Sequence, residues 1–599
     1  MSKYEVNNNS IETILSWIKS KEIAIPEIQR PFVWDSSKVR DLIDSLYKGY
    51  PIGYLITWKS AEIKLKDGSK SEGRKIIIDG QQRIMALTAS LLGQKVINKD
   101  YKKKNITISF NPKEEKFEVA NPAIEKNKEW IYDISLIHKE QISTRQLTRK
   151  YSKLNGIEDI NEVDKIGDAL DNLYHIKHKL IGMIELSHSL DIETVTEIFI
   201  RINSKGVELS QADFVMSKIA VNETFKGNTI RKIIDYFCHL IENPTDFDII
   251  FNNDKDFANT EYLNKIRWVS KYNEDVYSPE YKDLIRVVFA KNFNRGRLTD
   301  LVSLLSGRDF ETREYKEEIV ENSFSKLEEA VLDFINENNF KRFIMILKSA
   351  GIVSSSLIKS KNVLNFGYLL YLKLKDKKVN PAEIETYVRK WVIFSILTGR
   401  YSGSPESAFD YDIKRIEQNH VEFIRNEIEN ALFDNFWENI LPSKLEASSR
   451  RSPFFSVFII AQVKLGDKGF LSKDITVKDL VEEKGDIHHI FPKKYLQKNG
   501  FNTSSIYNQV ANYVYMQSEI NIKVKDKSPQ KYFNELLEQC RTKDSIYGGI
   551  IDQNDLKENL VENAIPLEVF EMTFEDYDDF LKKRRKFMSE KIKKYFFSL

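Results

Sequence analysis

The stretch Gly485-Asp486-Ile487-His488-His489-Ile490-Phe491-Pro492 places the tightest demand on how this chain can fold. Its β-branched and aromatic residues favour a pleated strand, and Pro492, which has no N–H to give a ladder, marks where that strand must stop. The expectation is a short strand running into a turn. Side chains alternate along a strand, so Asp486 and His488 share one face while His489 points to the other. One face can then hold a metal ion while the next residue handles a proton. Residues 511–516 alternate as a second strand, Asn521 follows, and Ser528-Pro529 opens a helical pattern through Leu537. Two adjacent histidines alone suit a structural or solvent-facing pair equally well. Asn512 alone is also ambiguous, because asparagine favours turns for local reasons. The ordered set of strand, strand and helix carrying His488, His489, Asn512 and Asn521 is what points to chemistry.

A second constellation lies near the start of the chain. Residues 23–30 suggest a strand entering a turn, and Asp35 is placed to cap a helix carrying Val39, Leu42, Ile43 and Leu46, which Gly49 ends. Residues 53–58 and 75–78 are expected as strands, the second running directly into Asp79-Gly80-Gln81-Gln82-Arg83 and then a helix. Glycine at such a junction lets backbone approach a ligand, a helix N-terminus offers N–H groups, and Arg83 adds a fork for phosphate. This is a candidate phosphate or nucleotide pocket. Asp79 could orient a water or a metal, and Gln81 and Gln82 could bond a base, a ribose or a phosphate oxygen. The same five residues also describe a plain Asp-Gly turn opening a helix.

Together the two constellations resemble the GmrSD-type modification-dependent endonucleases, and BrxU- and SspE-type proteins are similar in order of domains. The C-terminal set resembles their HNH (ββα-metal) nuclease. That resemblance implies that His488 and Asn521 bind Mg2+ or Mn2+, with Asp486 a further ligand or orienter, that His489 activates water, and that Asn512 braces the loop. The DGQQR sequence at 79–83, with Pro26-Glu27-Ile28-Gln29-Arg30-Pro31-Phe32-Val33-Trp34, resembles the family's N-terminal domain, which is similar to the ParB/sulfiredoxin fold. It implies a pocket of Gln29, Arg30, Asp79, Gly80, Gln81, Gln82 and Arg83 that binds and hydrolyses GTP, ATP or another NTP. Arg201 and Asn203, in a segment fitting the end of that domain, join the pocket on the same ground. Ser210 and Asp213 beyond it suggest a variant capping box of structural role.

The fold class implied is α+β multidomain: a ParB/sulfiredoxin-like domain over 1–215, a helical linking domain over 216–450 and an HNH domain over 451–599. Aromatics in the middle recur at core spacing and are read as packing. Lysines and arginines number 91 against 89 aspartates and glutamates, a net charge of +2, so contact with DNA must come from local patches. Lys493, Lys494, Lys498, Lys523, Lys525 and Lys527 form one such rim around the histidines. The Arg-bearing loops at 400–405 and 448–453 suit phosphate contact or ordinary loop chemistry alike. The run Lys582-Lys583-Arg584-Arg585-Lys586 suits a DNA-facing arm or a solvated surface. Two cysteines imply no disulfide framework. No apolar run reaches about 18 residues and the first residues lack a signal-peptide core, so a cytoplasmic protein without membrane contact is expected. The resemblance implies cleavage of modified double-stranded phage DNA in type IV restriction; because the two constellations lie far apart along the chain, nucleotide is expected to reach the nuclease by shifting a domain arrangement or an oligomer, with a homodimer expected. Left open are a phosphorothioate-sensing nicking nuclease, an RNA-directed nuclease and a nucleotide-gated DNA-binding regulator with a structural HNH fold.

Overall fold

The computed structural model describes residues 3–20, 22–24, 34–59, 75–98, 103–139, 143–187, 189–190, 194, 211–220, 222, 224–310, 312–483 and 485–599. The chain forms two compact units: Met1–Tyr236 with Asn243–Asn264 and Leu298–Ser325, and Phe237–Glu242 with Lys265–Arg297 and Lys326–Leu599. Residues 216–450, expected as a linking domain, contribute to both. Among the described residues no helix is long and apolar enough to cross a membrane.

The first unit is built on a mixed five-stranded sheet. Its strands are β1 (Tyr4–Ser10), β2 (Ile23–Ala24), β3 (Leu55–Lys59), β4 (Lys75–Asp79) and β5 (Leu180–Leu186), in the order β1-β5-β3-β4-β2. β1 pairs antiparallel with β5, β5 runs parallel to β3, β3 pairs antiparallel with β4 across a bulge at Ile56/Thr57, and β2 runs parallel to β4. Helix α1 (Ile11–Lys19) starts where the Ser10 side chain accepts from the Thr13 N–H. Helix α2 (Ser36–Tyr47) starts where Asp35 accepts from the Lys38 N–H at 2.8 Å, as its sequence predicts. Helix α3 (Gln81–Leu92) follows β4 through Gly80 alone. Ile11, Ile14, Val39, Ile43, Leu55, Ile77, Ile84 and Leu87 bury one continuous core beneath these elements. The strands expected at 53–58 and 75–78 are β3 and β4, so the α+β reading of this part holds. Asp213 is buried in the helix Gln211–Ala220, whereas Ser210, Gln29, Arg30, Arg201 and Asn203 lie outside the described residues.

The second unit is mainly helical. Its helix Lys361–Asp376 is buried from Val363 through Leu374, with Tyr368 packed against Phe334 and Phe343, so the aromatics here do pack. Arg400 is held inside: Nε donates to Asp412 at 2.8 Å, Nη1 donates to Glu427 at 2.7 Å, and the guanidinium lies over Trp391. It is a structural ion pair and not an open loop cation. The basic C-terminal run belongs to the helix Tyr577–Ser598, which buries Phe580, Leu581, Met588, Ile592, Tyr595 and Phe596 while exposing Lys582, Lys586 and Lys594. Two short strands, β6 (Ile487–His489) and β7 (Tyr513–Tyr515), complete the unit.

Candidate active site

β6 and β7 pair antiparallel, with His488 opposite Val514 and His489 opposite Tyr513. The turn after β6 is held by one side chain. Asn512 Oδ1 accepts from the Phe491 N–H at 2.8 Å, and its Nδ2 donates to the Phe491 and Tyr507 carbonyls at 3.1 and 3.2 Å. Asn512 is fully buried and its amide is engaged by backbone, which is a bracing role. Arg584 supports the same segment from behind. Its guanidinium, also fully buried, donates to the Ala511 carbonyl at 2.8 Å and to the Asn563 carbonyl at 3.1 Å. Burial without a facing carboxylate pushes its pKa down to about 9.

His489 sits edge-on to the Tyr513 ring, 5.2 Å between centroids, and its Nε2 meets Asn508 Oδ1 at 3.0 Å. Asn508 Nδ2 in turn donates to Ser504 Oγ at 3.2 Å, with its Oδ1 turned to the imidazole. Nε2 is then the protonated nitrogen, and Nδ1 presents a lone pair. Burial is the largest influence on the ring and lowers its pKa. The Asn508 bond opposes this, and Arg450, Lys493 and His488 add to the lowering. His489 is therefore neutral at pH 7, as a general base must be. Asn508 was not among the residues singled out in the sequence, and its place in Tyr507-Asn508-Gln509 carries no periodic signal.

Among the described residues, His488 Nε2 is buried without a hydrogen-bond partner. Burial holds this ring below its ordinary pKa too, with Asp486 working against it and Arg450 with it. An unpartnered buried nitrogen costs about 1–3 kcal/mol unless something binds its lone pair, and a divalent cation would. Asp486, just before β6, is exposed, and Asn521 is half-buried on the following helix, Ser518–Val524. No group of three His, Cys, Asp or Glu side chains converges among the described residues. An imidazole, a carboxylate and an amide oxygen are donor types that suit Mg2+ or Mn2+.

In the first unit, Gly80 has a left-handed φ of +97°, and a Cβ there would lie 2.3 Å from Leu55 Cδ2. Gly53, at φ +87°, leaves room for Arg83, whose Nη1 would be 2.6 Å from a Cβ. Arg83 Nη2 donates to Asp79 at 2.7 Å and Nη1 to the Ile52 carbonyl at 3.0 Å. Gln81 Nε2 donates to the Ile77 carbonyl at 3.3 Å. The N-cap position of α3 is Gly80, which has no side chain to cap the helix start. Asp79, Gly80, Gln81, Gln82 and Arg83 are thus gathered at one strand-to-helix junction, with the guanidinium fixed by its own carboxylate four residues back.

Residues 11–220 match the family model of the GmrSD restriction endonuclease N-terminal domain. Along nearly its full length the chain is similar to the uncharacterized protein MJ0686 of Methanocaldococcus jannaschii, at 24% identity, with 95% of this chain and 96% of that protein covered.

Proposed function

We propose, on the match of residues 11–220 to the family model of the GmrSD restriction endonuclease N-terminal domain, that this chain is a metal-dependent DNA endonuclease of the restriction type, cutting modified phage DNA under the influence of a nucleotide. The observation that carries the reading is His489, a half-buried imidazole held below its ordinary pKa, whose Nε2 meets Asn508 Oδ1 at 3.0 Å. That bond fixes the ring so that Nδ1 can accept a proton from a water attacking phosphorus. Asn512 keeps the turn after β6 in place by holding Phe491 at both its N–H and its carbonyl. His488 and Asn521, with Asp486, would hold Mg2+ or Mn2+, which when bound supplies positive charge at the scissile phosphate. The start of α3 after Gly80, with Arg83 in its first turn, would receive the phosphates of GTP or ATP.

The test incubates purified full-length protein, wild type and His489→Ala, with plasmid, modified phage DNA, unmodified phage DNA and RNA. Each is assayed with Mg2+ or Mn2+, and with or without GTP or ATP. Cleavage of modified DNA by the wild type, reduced by about 10²- to 10⁴-fold in His489→Ala, is expected. Equal cutting by both proteins, or cutting of RNA in place of DNA, overturns the reading.

A further inference from the structure

Of the basic residues around His489, some are already paired: Lys498 with Asp526, and Lys527 with Glu535 at 2.6 Å. Arg450 and Lys493 differ. Both are exposed, and among the described residues neither has a carboxylate partner; each rests on a tyrosine ring instead. The Arg450 guanidinium lies 5.3 Å from the centroid of Tyr513, the ring that edges His489, and Lys493 Nζ lies 4.9 Å from that of Tyr507. Arg450 also donates to the Tyr513 hydroxyl, but without a carboxylate across from it the guanidinium keeps further N–H donors for another partner, as Lys493 does, which a cation in a salt bridge does not.

The loop bearing Arg450 is also fixed. The Tyr513 hydroxyl donates to the Ser448 carbonyl at 3.0 Å, the Val510 N–H donates to the Ala447 carbonyl at 2.7 Å, and the Arg451 N–H donates to Ser449 Oγ at 3.2 Å. The staples join this loop to the segment that carries β7. Lys493 begins the helix Lys493–Lys498 directly after Pro492, so the turn braced by Asn512 sets its position. Tyr513 is the ring that edges His489, and Tyr507 directly precedes Asn508, which meets His489 Nε2 at 3.0 Å, so both cations rest on rings beside that histidine.

We infer that Arg450 and Lys493 are a phosphate clamp that holds the backbone of double-stranded DNA against His489. The inference rests on the nuclease reading only for the identity of the strand it holds. Arg450 can grip a phosphate with two parallel N–H donors, and Lys493 contributes a point charge. Neither reads a base, so the clamp binds all sequences alike.

The test is the salt dependence of binding of a short DNA duplex by the full chain, in wild type, Arg450→Ala, Lys493→Ala, the double variant and Arg450→Lys. A rim charge of purely structural use would not change the slope of log affinity against log salt. Each alanine is expected to reduce that slope by about 1, and the double variant by about 2, while Arg450→Lys keeps it. Unchanged slopes, or no wild-type binding to the duplex, overturn the clamp. Equal binding and equal slope changes on single-stranded RNA overturn its assignment to duplex DNA. His489→Ala, tested for cleavage in parallel, separates the two readings. A chain whose slope depends on Arg450 and Lys493 but which cuts nothing keeps the clamp and loses the nuclease. A chain that cuts through His489 with an unaltered slope does the reverse.

Discussion

His489 and His138 are both held neutral by burial, yet one has a partner for its ring and the other has none. Asn508 fixes which nitrogen of His489 carries the proton. Asn508→Ala should therefore slow cleavage by about 10- to 100-fold, the usual cost of losing an orienting partner, while leaving the urea midpoint nearly unchanged. Cleavage kinetics and denaturation run on the same samples decide this, and a wild-type rate would remove Asn508 from the site. His138, only 8% exposed, has no partner on either ring nitrogen; burial first, then Lys177 and His178, push its pKa down to about 4. Its folded-state pKa lies below the unfolded 6.5, so the folded state refuses a proton that the unfolded chain accepts. The associated stability is complete above pH 6.5 and is lost as pH falls from there through 4, to a total of about 3 kcal/mol. Urea unfolding at pH 7 and pH 4 should show that loss in the wild type and much less of it in His138→Leu. An equal loss in both would refute the burial account.

At the scale of elements, the junction from β4 through Gly80 to α3 is where local sequence and packing agree most closely. Gly80→Ala would force a β-carbon into a left-handed backbone and against Leu55, at a cost of about 1–3 kcal/mol from the backbone alone. Thermal or urea unfolding should show that cost, and no loss would mean that the turn relaxes freely. The caps at Ser10 and Asp35, and the strands β3 and β4, follow from residues a few positions apart. β1 was not legible in this way. Its Asn7, Asn8 and Asn9 are poor strand formers, and it is a strand because it pairs with β5 along the full register from Tyr4–Leu186 to Ser10–Leu180. The C-terminal basic helix was obscured for the opposite reason: its charges mask a buried face of Phe580, Arg584, Met588, Ile592 and Tyr595.

At the scale of the molecule, the Asp79–Arg83 junction proposed to bind nucleotide belongs to the first unit and His489 to the second. A nucleotide can act on cleavage only by binding one arrangement of the protein better than another. Arg83→Ala should remove about 1.5–3 kcal/mol of charged hydrogen bonding to nucleotide, abolish most NTP turnover and abolish the response of cleavage to NTP, with basal cutting retained. Cleavage rate against NTP concentration for wild type, Arg83→Ala and Arg83→Lys, alongside mass by light scattering, measures it. If wild-type cleavage and mass ignore NTP, or Arg83→Ala responds as the wild type does, the coupling does not exist.

Sequence alone determined what depends on neighbouring residues: the strand ended by Pro492, the Asp35 cap, the Asp79–Arg83 junction and the pair of histidines themselves. These are settled by backbone geometry within a few positions, and that information is local. Tertiary structure alone decided which asparagine meets His489, 19 residues away along the chain, that Arg400 turns inward to Asp412 while Arg450 stays exposed on Tyr513, and that Arg584 is buried under the site. Arginine and asparagine are chemically suited to surface, cap or core alike, and the choice among these is made by which partners and how much burial the packed chain provides.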